Sequence, residues 1–121
     1  MIPRIAVDAG ISEGNIDAAL DSGVYHYPET AAPGEAGNAV IAGHRLRRAF
    51  TLLHVLKKGD PVIVYWHGRE YDYRVMVVFE VDPSDTAILE RGSQELLTLY
   101  TCLPRTVGDR RTVVIAEPAL R

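Results

Sequence analysis

The chain contains one cysteine, Cys102, so no disulfide can form within it and its fold rests on the core alone. It has no basic excess: the net charge is −3, which argues against a nucleic-acid footprint. Two small arginine clusters, at 45, 47 and 48 and at 105, 110 and 111, read as mainly solvated surface. No apolar run approaches the roughly 20 residues needed to cross a bilayer, and no signal peptide is present. Repeats, low-complexity tracts and linkers are also lacking. The opening Met1-Ile2-Pro3-Arg4-Ile5 starts like a strand without a lead-in, as either a fragment cut from an N-terminal anchor or a complete cytosolic protein would.

What is present is ordinary globular material. A chain of 121 residues, 47% hydrophobic and 24% charged, makes one domain over 1–121 with a core of its own. Residues 2–7 read as a first strand, with Gly10 and Gly14 marking turns. Asn15 is positioned to cap a short helix that Gly23 stops, and residues 24–28 form another extended piece before a loop over 30–37. The small and branched run at 38–42 predicts a buried strand. A helical segment over 49–56 ends at Gly59, after Lys57 and Lys58. Residues 61–66 and 71–81 predict a hairpin joined through His67-Gly68-Arg69-Glu70, with Tyr71, Tyr73, Val75, Val77, Phe79 and Val81 on one face of its second strand. Residues 85–89 allow one helical turn. Two apolar strands, 97–102 and 112–116, finish the chain, and Pro118 limits the last. Seven or eight short strands with two or three small helices favour a mostly antiparallel β-barrel over a doubly wound sheet.

The groups able to do chemistry lie at strand edges. Cys102 ends the run Leu97-Thr98-Leu99-Tyr100-Thr101-Cys102, His44 follows Val40-Ile41-Ala42-Gly43, and Arg111 opens Thr112-Val113-Val114-Ile115-Ala116. A thiol attacks as its thiolate, and a cationic neighbour lowers its pKa from about 8.5. A histidine can carry a proton to a leaving amine, and an arginine can donate to the oxyanion formed when a carbonyl is attacked. Together the three types suffice for acyl transfer from a peptide. A lone thiol is equally a small buried hydrophobe, and His44 equally a strand cap.

These segments closely resemble the signature segments of the sortase family. Ile2-Pro3-Arg4-Ile5 resembles the opening strand of its catalytic domain, and Tyr25-His26-Tyr27-Pro28 with Pro33-Gly34 and Gly37-Asn38 resembles the approach to its histidine strand. Leu56-Lys57-Lys58-Gly59-Asp60, followed by two strands, also fits, so the likeness runs nearly the length of the chain in the family's order.

The resemblance implies a closed or nearly closed eight-stranded β-barrel and a membrane-anchored cysteine transpeptidase of Gram-positive-type cell surfaces. It implies Cys102 as nucleophile on a sorting-signal peptide of LPxTG type, cleaving after the threonine and holding a thioester. His44 would serve as the acid and base, and Arg111, rather than Arg110, as the oxyanion and substrate donor. Tyr100 and Thr101 would line the peptide groove. The acyl acceptor would be an amine, from a cell-wall precursor or a pilin lysine, at the extracellular face of the membrane.

The short Cys-to-Arg interval is nearer to the pilin-type and shorter housekeeping-like classes than to the calcium-dependent anchoring class. Asp82, Asp85 and Glu90 lack calcium-loop spacing, so no metal or other cofactor is expected. His26, His54 and His67 read as core, helix-face and turn residues, and Trp66 and the tyrosines as packing or rim. A peptide-binding barrel without turnover and a plain cysteine hydrolase are the alternatives.

Overall fold

The computed structural model describes Ile2 and residues 10–13, 23–44, 53–81, 92–102 and 111–119. Its strands are β1 (Gly10–Ser12), β2 (Gly23–His26), β3 (Asn38–His44), β4 (Pro61–Trp66), β5 (Arg69–Val81), β6 (Leu96–Cys102) and β7 (Arg111–Pro118). They form one seven-stranded sheet in the order β1-β2-β3-β6-β7-β5-β4. β1 pairs parallel with β2 and β3 parallel with β6, and the other neighbours are antiparallel.

The sheet curls. Val24 of β2 and Val62 and Val64 of β4 share one buried cluster although four strands separate theirs in the sheet order. The rings of His26 and Trp66, at the ends of β2 and β4, meet edge to face with centroids 5.0 Å apart. The inner face is therefore the one carrying Ala39, Ile41, Leu97, Leu99, Val114 and Ala116. A second cluster, Tyr25, Val40, Ala42, Val81, Tyr100 and Val113, covers the outer face. Central strands buried on both faces explain why 38–42 and 112–116 read as continuous apolar runs instead of alternating ones.

Several expectations change in detail. Gly10 opens β1 instead of marking a turn, and Gly23 opens β2. Ile2 forms a single bridge, and the rest of the 2–7 strand, the helix from Asn15 and the turn over 85–89 lie outside the described residues. Of the helical segment at 49–56, the described part is a 3-10 turn, Leu53–Val55. Among the described residues the sheet has seven strands and its ladder runs from β1 to β4 without closing.

The hairpin loop shortens to His67-Gly68, both at positive φ (49° and 80°), as a tight turn matched to strand twist requires. The single apolar face read for residues 71–81 is broken by a bulge. Val75 pairs with Ala116 and Val77 with Ile115, so Met76 has no partner on β7 and the alternation shifts by one. Tyr73 and Val75 thus serve the inner core, whereas Phe79 and Val81 join the outer cluster.

Among the described residues, buried polar side-chain atoms are paired except Asp72 Oδ1 and Arg111 Nε. Thr98 donates to Asn38 Oδ1 at 2.6 Å, and Asp60 accepts the Lys57 N–H at 2.8 Å. Thr30 gives its hydroxyl proton to the Tyr27 carbonyl and accepts the Val40 N–H. His26 Nε2 therefore faces acceptors only, chiefly the Ala31 carbonyl at 2.8 Å, and carries a proton. Its Nδ1 lies 2.7 Å from Glu13 Oε2. His26 is a core residue as its position suggested, while His54 is exposed and His67 sits in the turn.

Candidate active site

Parallel pairing of β3 with β6 is what brings distant parts of the chain together. Their register runs from Asn38–Leu96 to His44–Cys102, so the backbones at His44 and Cys102 are direct neighbours, about 4.8 Å apart across the ladder. β7 lies on the other side of β6, paired from Leu97–Ala116 to Tyr100–Val113. The paired register ends there, two residues short of Cys102 on β6 and of Arg111 on β7. There a side-chain bond replaces the ladder, with the Thr112 N–H donating to Thr101 Oγ1 at 3.2 Å. Arg111 pairs in turn with Val81 of β5.

Tyr25–Ala42–Tyr100–Val113–Phe79 form one outer row, each residue paired with the one before it. His44 and Cys102 are paired backbone neighbours just beyond this row on β3 and β6, and Arg111 is paired with Val81 just beyond it on β7 and β5. The side chains of His44 and Cys102 lie outside the described residues, as do Arg105, Arg110, Asp82, Asp85 and Glu90.

The Arg111 side chain is described. Its guanidinium carbon stands 5.7 Å from the centroid of the Tyr100 ring, a diagonal neighbour on the adjacent strand. Its Nε is buried and finds no hydrogen-bond partner among the described residues. A buried donor left unpaired costs about 1–3 kcal/mol, a cost a bound carbonyl oxygen could offset.

Tyr100 and Thr101 occupy opposite faces. Tyr100 is on the outer face below Cys102, where its hydroxyl bonds that of Tyr27 and the two rings stack with centroids 6.0 Å apart. Thr101 is buried, with its hydroxyl engaged by the β7 backbone. Tyr25 closes the aromatic group, edge-on to Tyr27 at 4.9 Å. Its phenol pKa is raised above the usual tyrosine value, first by burial and then by the nearby carboxylates of Glu29 and Glu13. Tyr27 was read from sequence only as packing or rim. The recurrence of tyrosine at 25 and 27 marks one strand face, but the partner waiting there comes from a segment 73 residues away.

Among the described residues no group of three potential ligands could hold a metal ion, and no helix is long and apolar enough to cross a membrane.

The described residues thus form a curled mixed sheet with a cysteine and a histidine on neighbouring parallel strands and an arginine opening the next. The sortase domain family matches residues 1–119, and the chain belongs to the sortase family. It is 29% identical over 119 residues to sortase A of Bacillus anthracis, covering 96% of this chain and 56% of that one. Against sortase D of Bacillus subtilis it is 35% identical over 104 residues, covering 85% and 52%. The chain thus spans a little over half the length of these curated relatives.

Among solved structures, sortase C-1 of Actinomyces oris superposes with a TM-score of 0.87 at 32% identity, covering all of this chain and 72% of that one. The sortase D5 transpeptidase of Clostridium perfringens gives 0.85, also at 32% identity, covering 98% and 76%. The mostly β sortase fold is therefore shown, and the family consists generally of cysteine transpeptidases of the cell wall.

Proposed function

We propose that residues 1–121 form the catalytic domain of a cysteine transpeptidase acting on sorting-signal peptides of LPxTG type. The observation that supports this most directly is the backbone pairing of His44 with Cys102 on β3 and β6, with β7, which Arg111 opens, alongside β6. In the proposed reaction the Cys102 thiolate attacks the carbonyl carbon of the threonine. Arg111 donates hydrogen bonds to the resulting oxyanion, for which its buried Nε–H, without a partner among the described residues, is suited. His44, protonated, gives its proton to the departing glycine amine as the C–N bond breaks, leaving a thioester on Cys102. An incoming amine, from a cell-wall precursor or a pilin lysine, loses a proton to neutral His44 as it attacks the thioester carbonyl. An amide forms and the thiolate departs. Tyr100 lines the groove beside Cys102, and Thr101 sets the local spacing of β6 and β7. No metal or other cofactor takes part. The reaction takes place at the extracellular face of the membrane.

The test is incubation of the chain with a panel of LPxTG-pattern peptides, followed by intact mass measurement. A hydroxylamine-sensitive adduct of the acyl fragment on Cys102 is expected, and added amine should raise turnover and appear in the product. Absence of any adduct across the panel points instead to a binding module. An adduct whose turnover ignores amine marks a hydrolase.

A further inference from the structure

We propose that Tyr27 is a positioning residue for Arg111, acting through Tyr100. The backbone of Tyr27 is pinned on both sides. Its N–H donates to the Val40 carbonyl at 3.1 Å, and its carbonyl accepts from the Thr30 N–H at 3.0 Å and the Thr30 hydroxyl at 2.6 Å. Its ring therefore leaves a fixed point at the end of β2, braced edge-on by Tyr25. The ring stacks on Tyr100, within 16° of parallel, and the two hydroxyls bond. Ala42 pairs with Tyr100, and Val40, whose carbonyl accepts the Tyr27 N–H, lies two residues before it on β3; both are fully buried beside the rings. Tyr100, held in this way, presents its ring to the guanidinium of Arg111.

The chemistry of this brace matters. A carboxylate holding Arg111 would occupy the N–H groups that an oxyanion needs. A ring attracts the cation through its quadrupole and occupies none of them. The brace thus fixes the guanidinium while the Nε–H stays unpaired among the described residues. The inference rests on the transpeptidase reading above, and it adds a residue with no direct part in the reaction.

The experiment measures single-turnover thioester formation on Cys102, and steady-state kcat and KM, using the panel peptide that gives most adduct. The variants are Tyr27→Phe, Tyr100→Phe, their double, Arg111→Lys, and Tyr27→Phe in Arg111→Lys. Tyr27→Phe is expected to slow acylation about tenfold, short of the roughly hundredfold loss that a displacement of about 1 Å can cause. The fall should lie in kcat, with KM changed less than about twofold. Tyr100→Phe and the double variant should match Tyr27→Phe, because all three remove the same bond.

In Arg111→Lys, which keeps the charge and loses the planar fork, Tyr27→Phe should cost less than about twofold. A merely structural tyrosine would slow both backgrounds by the same factor, and that result, or an unchanged rate in Tyr27→Phe alone, overturns the proposal. Full activity in Arg111→Lys overturns the arginine's catalytic role and this proposal together. A slow Arg111→Lys with an unaffected Tyr27→Phe overturns the proposal alone.

Discussion

At Arg111, being held and being available fall to different parts of one side chain. The guanidinium face rests on Tyr100 and the Nε–H is left without a partner among the described residues. Arg111→Ala should slow thioester formation about a hundredfold, the scale of losing one well-aimed oxyanion donor. Cys102→Ala should abolish the adduct and leave the far-UV circular dichroism unchanged. Wild-type acylation by the Arg111→Ala protein would remove the arginine from the reaction, and the same loss in Arg110→Ala alone would reassign it.

Tyr25 makes a different prediction at this scale. Burial and the charges of Glu29 and Glu13 favour its neutral phenol, so its pKa in the folded protein lies above the unfolded value. Its contribution to stability is complete below the unfolded pKa of about 10 and is lost as pH climbs through the folded one. Melting temperature against pH should therefore fall less steeply above about pH 10 in Tyr25→Phe than in the wild type. Identical alkaline slopes would contradict this.

At the scale of elements, two glycines in turns separate backbone strain from crowding. Gly34 (φ 89°) donates its N–H to the Tyr73 hydroxyl, and a Cβ there would lie 2.2 Å from the Tyr71 ring. Gly68 (φ 80°) has nothing within 4 Å of such a Cβ. Gly68→Ala should cost about 1 kcal/mol of unfolding free energy, from the left-handed backbone alone. Gly34→Ala should cost about 3 kcal/mol, because Tyr71 must also move. Equal losses in denaturant titrations would show that the ring gives way freely.

The bulge at Met76 shows where a local pattern stops being informative. Alternation from Tyr71 to Val81 is regular in sequence, yet one unpaired residue sends Val75 and Phe79 to different cores. The strand's period was legible, but the shift depends on how β7 lies against it.

For the whole molecule, the sheet order predicts a gradient of stability. β3, β6 and β7 are central and buried on both faces, whereas β1 and β4 are the edges. Amides of Val40, Ile41, Leu99, Val113 and Val114 should exchange hydrogen only through global unfolding, and those of Ile11 and Ile63 through local opening. β3 amides exchanging as fast as those of β4 would contradict the central placement.

Sequence alone determined most of the strand segments, a hairpin turn within residues 67–70 and the three residues to watch, because apolar runs, turn chemistry and reactive side chains are local properties. The resemblance carried by Gly43-His44-Arg45 and Thr101-Cys102 was legible for the same reason. Tertiary structure decided the rest. Parallel pairing of β3 with β6 joins segments 58 residues apart, from His44 to Cys102. Only that pairing makes neighbours of positions 44 and 102, with β7 and its opening Arg111 alongside β6. The stack of Tyr27 on Tyr100 also depends on it, since nothing in the neighbourhood of either tyrosine specifies the other. Strand partners are chosen by the burial of whole faces, a property of the folded sheet that no short stretch of chain contains.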